Sequence, residues 1–538
     1  MALSAADVPA ACAPATFMPL PDIAGVDVLS VTASAVQNFT ADADVSMRYT
    51  HPSVTASGLA FCNATATYTH AGAGSGDVVS VEVWLPAGAD ESSSSGWNGR
   101  LYAAGGSGLG AGRFLVPYTT MAGALAEGYA TVSSDAGLGY REEVLDGSWV
   151  LEEPGALNLR LLQNFGAASL NEEAIIAKAM VESFYGRPPA YSYWNGCSQG
   201  GRQGMALAQR YPDAYDGIVV GAPGMNLPHI VSNIFWPQQF MAERGAWPPE
   251  CETDAVVHAA ISACDELDGA ADGIISEPYA CLDAFNPFDY VGTEIACWPK
   301  GEKTKISTDA AAVVNATWTG ITSSAGRAMW HGFTPGTNLT GRGEMQGAVA
   351  GTECSETGEC TGRPNPLGPV WMKLFGAKNP DFEVGNLTRS EYMNLVRLSI
   401  EEQSSFFRTD SADLSLFQEA GGKLISWHGL VDDLLPPKAT EEYYKQVLSM
   451  VPDVQGFYRH FEIPGLSHCF GGAGGQPTSM FGQLRAWVEN GTTPLSSPVQ
   501  YMGSDGDVWR RIICPYPQKA RPKDACEGIK SEDCWECT

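Results

Sequence analysis

The stretch Asn195-Gly196-Cys197-Ser198-Gln199-Gly200-Gly201 constrains the chain more than any other. It contains a complete G-x-S-x-G, Gly196 to Gly200, with a β-prone run (Tyr191 to Trp194) before it and a helix-forming run (Arg202 to Arg210) after it. In that setting a tight strand-to-helix turn lifts a serine hydroxyl above a sheet. Small flanking residues let the strained backbone pass close to the helix. In a chain with 60 glycines the competing reading is an ordinary glycine-rich turn. The partners of Ser198 decide between the two.

Strand and helix patterns alternate on both sides of this turn. Val79, Val81, Val83 and Leu85 alternate as in a half-buried strand, and Leu101 to Ala104 is a short strand running into Gly105-Gly106-Ser107-Gly108-Leu109-Gly110-Ala111-Gly112. Tyr129 to Ser134 reads as a strand. Asn171 to Tyr185 reads as a helix, capped by Asn171, stopped by Gly186, with Ile176, Met180 and Phe184 on its buried face. Gly217 to Gly221 is the strand that follows the nucleophile helix. Such alternation predicts an α/β fold with a mostly parallel, doubly wound sheet, as in α/β-hydrolases. The rhythm is lost over residues 225–415, which are rich in Trp, Asn, Gly and Pro and hold six cysteines. This segment reads as a large inserted lid domain. The pattern resumes with Lys423 to Trp427, a helix Ala439 to Ser449, a strand Phe457 to Ile463 and a helix Thr478 to Glu489. Residues 1–224 and 416–538 then form one discontinuous catalytic domain.

A formal charge of −29, from 61 acidic and 32 basic residues, argues against nucleic acid and anionic membrane as partners. No apolar run is long enough to span a bilayer. The expected partner is a small molecule, and the sequence sets no oligomeric state. Fourteen cysteines and six N-x-S/T sequons (Asn38, Asn63, Asn315, Asn338, Asn386, Asn490) favour an oxidising, secretory route. The first basic residue is Arg48 and no apolar h-region precedes it, so a secreted protein with its signal removed is expected. A bridge Cys12–Cys62 would pin the N-terminal segment, and Cys526, Cys534 and Cys537 would staple the tail beyond Tyr516.

A serine hydroxyl becomes a nucleophile only when a base takes its proton and an acid orients that base. In α/β-hydrolases the chain order is Ser, then Asp or Glu, then His. Trp427-His428-Gly429-Leu430-Val431-Asp432-Asp433 places an acidic pair just past a late strand. The H-G-x-x-D spacing favours Asp432 over Asp433; an acidic pair capping the next helix is the alternative. Only His460 and His468 follow. His460 lies inside an alternating strand and reads as structural, whereas His468 lies in a glycine-rich loop after that strand and is the expected base. Cys197 precedes Ser198 and Cys469 follows His468. Triad geometry would bring these two cysteines near disulfide range, so a bridge Cys197–Cys469 is expected. The Gly105 to Gly112 run lacks the Gly-Lys-Ser/Thr ending of a P-loop. As a loop after an early hydrolase strand it would lend an N–H to an oxyanion, Gly108 with the Gln199 N–H being the expected pair.

The runs Gly196-Cys197-Ser198-Gln199-Gly200-Gly201-Arg202-Gln203-Gly204, Tyr211-Pro212-Asp213, Asp216-Gly217-Ile218, Gly221-Ala222-Pro223 and Pro464-Gly465-Leu466-Ser467-His468-Cys469-Phe470-Gly471-Gly472 resemble the tannase and feruloyl esterase family, over about residues 55–515. The resemblance implies an α/β-hydrolase with a large lid, the triad Ser198–His468–Asp432, the bridge Cys197–Cys469, and activity on esters of hydroxylated aromatic acids. It also implies a structural calcium ion. The matching positions are Asp265, Asp268 and Asp272 through their side chains, with Ala270 and Ile274 through carbonyls. An oxygen-only set of this kind suits a hard cation. Cys264 and Cys281 look like a bridge beside this loop, and Cys251–Cys297 is a looser pairing. Two other functions remain open from sequence: an acyltransferase with the same triad, and a calcium-stabilised binding protein on a non-catalytic hydrolase scaffold.

Overall fold

Leu101 and Ala103 face one core of the protein while Tyr102 and Ala104 face another. This period-two alternation places their strand between two packed layers. The computed structural model describes residues 8–72, 76–87, 96–140, 142–297, 301–342, 347–503, 505–524, 526 and 529–538. Its main sheet has nine strands: β1 (Val26–Ala43), β2 (Val54–His70), β3 (Val79–Pro86), β4 (Arg100–Ala104), β5 (Ala130–Ser134), β6 (Tyr191–Cys197), β7 (Gly217–Gly221), β8 (Lys423–Gly429) and β9 (Tyr458–Ile463). Their spatial order is β1-β2-β3-β5-β4-β6-β7-β8-β9. Strands β5 to β9 and β4 pair in parallel. β1, β2 and β3 run antiparallel at one edge, and β3 pairs antiparallel with β5.

Helices cover both faces. α1 (Leu115–Ala126) packs on one face with Met121 and Leu125. On the opposite face lie α2 (Ser169–Tyr185), with Ile176, Met180 and Phe184, and α3 (Gln199–Arg210), with Met205 and Leu207. Strands buried from both sides read as continuous apolar runs, which is why Ile218, Val219 and Val220 follow one another without a polar residue. Each such fully buried side chain contributes roughly 1.5–3 kcal/mol of transfer free energy.

The chain leaves the sheet at the carboxyl end of β7 and returns in β8, its parallel neighbour (Gly217 opposite Lys423). Between them run α4 (Leu227–Arg244), α5 (Glu250–Cys264), α6 (Arg389–Phe407) and several short elements. These helices bury two apolar clusters, one around Trp236, Trp371 and Phe375 that also takes in Leu109, Leu162 and Phe165 from the chain before them, and one around Val256, Val314 and Phe333. After β8 come α7 (Lys438–Met450), β9, α8 (Met480–Asn490), and a hairpin of β10 (Ser497–Met502) with β11 (Val508–Ile513). Among the described residues no helix is long and apolar enough to cross a membrane.

Two local readings change. Asn171 does not cap a helix: α2 begins at Ser169 without a side-chain cap, because helical turns from Leu159 through a π-turn at Asn164–Ala168 run directly into it. Val79 to Leu85 is buried on nearly every residue rather than half-buried, because both faces of the strand are covered: Val81, Val83 and Leu85 enter the core shared with α2, while Trp84 stacks on Tyr118 of α1.

Candidate active site

Ser198 sits between β6 and α3 with φ +60° and ψ −117°, a backbone region that side chains rarely occupy. The turn demands glycine at its ends. A Cβ on Gly196 would meet the Gly200 backbone at 2.6 Å. Gly200 N–H in turn donates to Gly106 O (3.0 Å), clamping the turn against the glycine-rich loop after β4. The serine therefore stands at the N-terminus of α3, where unpaired N–H groups and the helix dipole favour negative charge.

His468 and Asp432 come from the loops after β9 and β8. His468 Nδ1 lies 2.8 Å from Asp432 Oδ2. His428 Nε2 reaches the same oxygen at 3.0 Å. Asp432 Oδ1 accepts from Leu434 N (2.9 Å) and Leu435 N (2.7 Å). Burial alone would raise the Asp432 pKa, but the charge of His468 and the hydrogen bonds from both imidazoles outweigh it and hold the carboxyl well below the usual range. For His468, burial lowers the pKa, and the charge and hydrogen bond of Asp432 overcome that and raise it. Asp433 plays a different part. Its Oδ1 meets the His468 backbone N–H at 3.4 Å rather than the ring, and burial with the Asp432 charge pushes it up to about 6. His460 pairs with Ser426 Oγ at 2.9 Å inside the sheet and does not reach Asp432.

Cys197 and Cys469 are bonded, with Cα atoms 5.9 Å apart. The bridge joins the chain neighbours of Ser198 and His468, which line one cavity together with Gly108 and Gln199. No hydrogen bond closes between Ser198 Oγ and His468 Nε2; catalytic contacts of this kind are often long until substrate binds. Gly108 holds φ +56°, and a Cβ there would meet Val144 O at 2.6 Å. Its N–H and that of Gln199 have no acceptor among the described residues. The rest of the cavity is apolar: Leu227, Val231 and Ile234 from α4, Leu367 and Trp371 from the insertion, Leu434 and Leu435 after β8.

Cys12–Cys62, Cys264–Cys281 and Cys251–Cys297 are bonded, and Cys354–Cys360, Cys514–Cys537 and Cys526–Cys534 complete seven bridges. In the acidic loop, Asp265 Oδ1 accepts from the N–H groups of Asp272, Gly273 and Ile274 (3.1, 2.9 and 3.2 Å), and Asp268 Oδ1 from Ala270 N (3.0 Å). The outer oxygens of Asp268 and Asp272 face the buried guanidinium of Arg511, at 3.3 and 2.9 Å, and Tyr501 donates to Asp272 at 2.6 Å. Among the described residues no three acidic, His or Cys side chains converge as a metal-binding cluster.

Two residues here were not assigned from sequence. His428, the histidine of H-G-x-x-D, is a second donor to Asp432, and its four-residue spacing was the available signal. Arg511 comes from an alternating strand in the tail, where nothing local distinguishes it from a surface arginine.

A family model described as tannase and feruloyl esterase matches residues 62–534. A probable feruloyl esterase of Arthroderma benhamiae is 34% identical over 524 residues, covering 96% of this chain and 92% of that protein. The mono(2-hydroxyethyl) terephthalate hydrolase of Piscinibacter sakaiensis is 30% identical over 490 residues, covering 82% and 79%. Among solved structures, tannin acyl hydrolase from Aspergillus niger superposes with a TM-score of 0.83 at 25% identity, covering 100% of this chain and 95% of that one.

Proposed function

The chain belongs to the tannase and feruloyl esterase family, and from that premise we propose that it hydrolyses carboxylic esters of phenolic acids through a serine acyl-enzyme. The observation that carries this reading is the single cavity onto which Ser198, His468 and two acceptor-free N–H groups open, with Asp432 behind the imidazole. His468 Nε2 takes the Ser198 proton as Oγ attacks the ester carbonyl. The N–H groups of Gly108 and Gln199 hold the oxyanion, each donor being worth roughly 2.7–4 kcal/mol of barrier. The tetrahedral adduct collapses by breaking the bond to the alcohol oxygen, which leaves with the proton from His468. Water repeats the sequence on the acyl-enzyme and releases the acid. Seven disulfides suit an oxidising compartment, and secretion follows as part of the same proposal.

A panel of methyl ferulate, methyl gallate and mono-aryl diesters tests the reading. We expect free acid from at least one of them. With a competing alcohol present, a transfer product exceeding free acid would make the protein an acyltransferase instead.

The loop around Asp265, Asp268 and Asp272, with the carbonyls of Ala270 and Ile274, is proposed to hold a structural calcium ion. The oxygen-only donor set suits a hard cation, which would have to share the carboxylates of Asp268 and Asp272 with Arg511. The ion would supply charge neutralisation to the loop and takes no part in ester cleavage. A ligand held only by the native state at 100 times its Kd adds about 2.7 kcal/mol of stability. The melting temperature is therefore expected to fall by about two degrees in EGTA and to return with calcium. An unchanged melting temperature would leave Arg511 as the loop's counter-charge and overturn the calcium proposal.

A further inference from the structure

Gln199 has, besides its backbone N–H, a buried side chain at the cavity. The side chain is 2% exposed. Its Oε1 accepts from Arg202 Nε at 2.8 Å, one turn along α3. Arg202 is fully buried and has no carboxylate partner among the described residues. Its two remaining nitrogens donate to Gly166 O (2.7 Å) and Phe165 O (2.6 Å), carbonyls of the π-turn that precedes α2. The guanidinium also lies over the rings of Phe165 and Phe407, at 5.3 and 5.9 Å.

This arrangement settles which way the Gln199 amide points. A guanidinium can only donate, so the atom beside Arg202 is the amide oxygen and Nε2 is directed elsewhere. Nε2 is buried and finds no acceptor among the described residues. Leaving a buried donor unpaired is destabilising, so this N–H calls for an acceptor the chain does not supply, a water or a bound ligand. Gln199 lines the Ser198 cavity, whose other walls, Leu227, Val231 and Trp371 among them, are apolar.

We propose that the Gln199 side-chain amide, pinned by Arg202, donates a hydrogen bond to an oxygen on the ring of the acid group and so selects oxygenated aromatic acids over unsubstituted ones. The proposal rests on the ester-hydrolase reading and sharpens it. Gln199 is then a specificity residue that touches substrate, and Arg202 a positioning residue that acts through it. A site built to pair with a substrate oxygen discriminates strongly against the analogue that lacks it.

The test compares kcat/KM on methyl ferulate and methyl cinnamate, which differ in their ring oxygens, for the wild type, Gln199→Met and Gln199→Glu. Glutamate keeps the size and the contact with Arg202 but removes the donor, so it serves if methionine disturbs the fold. The ferulate-to-cinnamate ratio is expected to fall about tenfold in both variants. An equal fall on both esters would place the amide at the reacting carbonyl and overturn the proposal. So would an unchanged ratio in a wild type that cleaves both esters. Absence of wild-type turnover on methyl ferulate, methyl gallate and the mono-aryl diesters alike would remove the hydrolase reading itself; turnover of gallate or a diester but not ferulate would keep that reading and overturn this proposal.

Discussion

Ser198→Ala is expected to lower kcat on any phenolic ester by about 10⁶-fold, the scale on which a triad loses its nucleophile. The prediction follows from how few groups in the cavity can attack a carbonyl. Leu227, Val231, Ile234, Leu367, Trp371, Leu434 and Leu435 carry none, and His468 is held by Asp432 for proton transfer. The residual rate would come from the N–H groups of Gly108 and Gln199, which still polarise a bound ester. Alanine keeps the Cβ and the strained φ of +60°, and the Cys197–Cys469 bridge and the Gly200–Gly106 contact remain. Melting temperature and KM should therefore stay near wild-type values. Rates and KM measured on one ester, with a melting curve for each protein, check both halves. Activity within tenfold of wild type would remove Ser198 as nucleophile.

How much of this was legible beforehand depended on how local each signal is. The Gly196–Gly200 motif is local: the turn excludes Cβ atoms, and its glycines record that exclusion directly. Cys197 and Cys469 are far apart in sequence, yet each stands beside a residue whose partner was already inferred, so the bridge could be read from chemistry. The alternation of strand and helix predicted the parallel core. Strand β1 escaped because its edge position leaves Val26–Ala43 largely exposed, and β2, though flanked on both sides, is filled with Ala, Ser and Thr where an apolar alternation would show. The contacts of Arg202 and Arg511 escaped for a different reason. A buried arginine is defined by carbonyls and carboxylates from distant segments, Phe165 and Gly166 in one case and Asp268 and Asp272 in the other, and no periodicity encodes such pairings.

The adjacent acidic residues make the second strong prediction, because the two should behave very differently. Asp432→Asn is expected to lower kcat by about 10⁴-fold. Two backbone donors, Leu434 N and Leu435 N, hold Oδ1, so the asparagine oxygen stays with them and its Nδ2 takes the place of Oδ2. That places an N–H donor against His468 Nδ1, which must then accept. The imidazole proton moves to Nε2, and the base that Ser198 needs is gone. The pH dependence separates this from a loss of folding. Catalysis needs neutral His468, so kcat/KM falls as pH drops through the His468 pKa, which Asp432 raises above the ordinary histidine value. In the Asp432→Asn variant the raising charge is removed while burial remains, and the acidic limb should move to lower pH even as the plateau collapses. Asp433→Asn should keep kcat within about tenfold, since its carboxyl reaches the His468 backbone and not the ring. Pushed up to about 6, that carboxyl already spends part of the acidic range protonated, a state that asparagine resembles. A 10⁴-fold loss in Asp433→Asn with a mild effect of Asp432→Asn would reverse the assignment, and equal losses in both would make the pair one coupled acid.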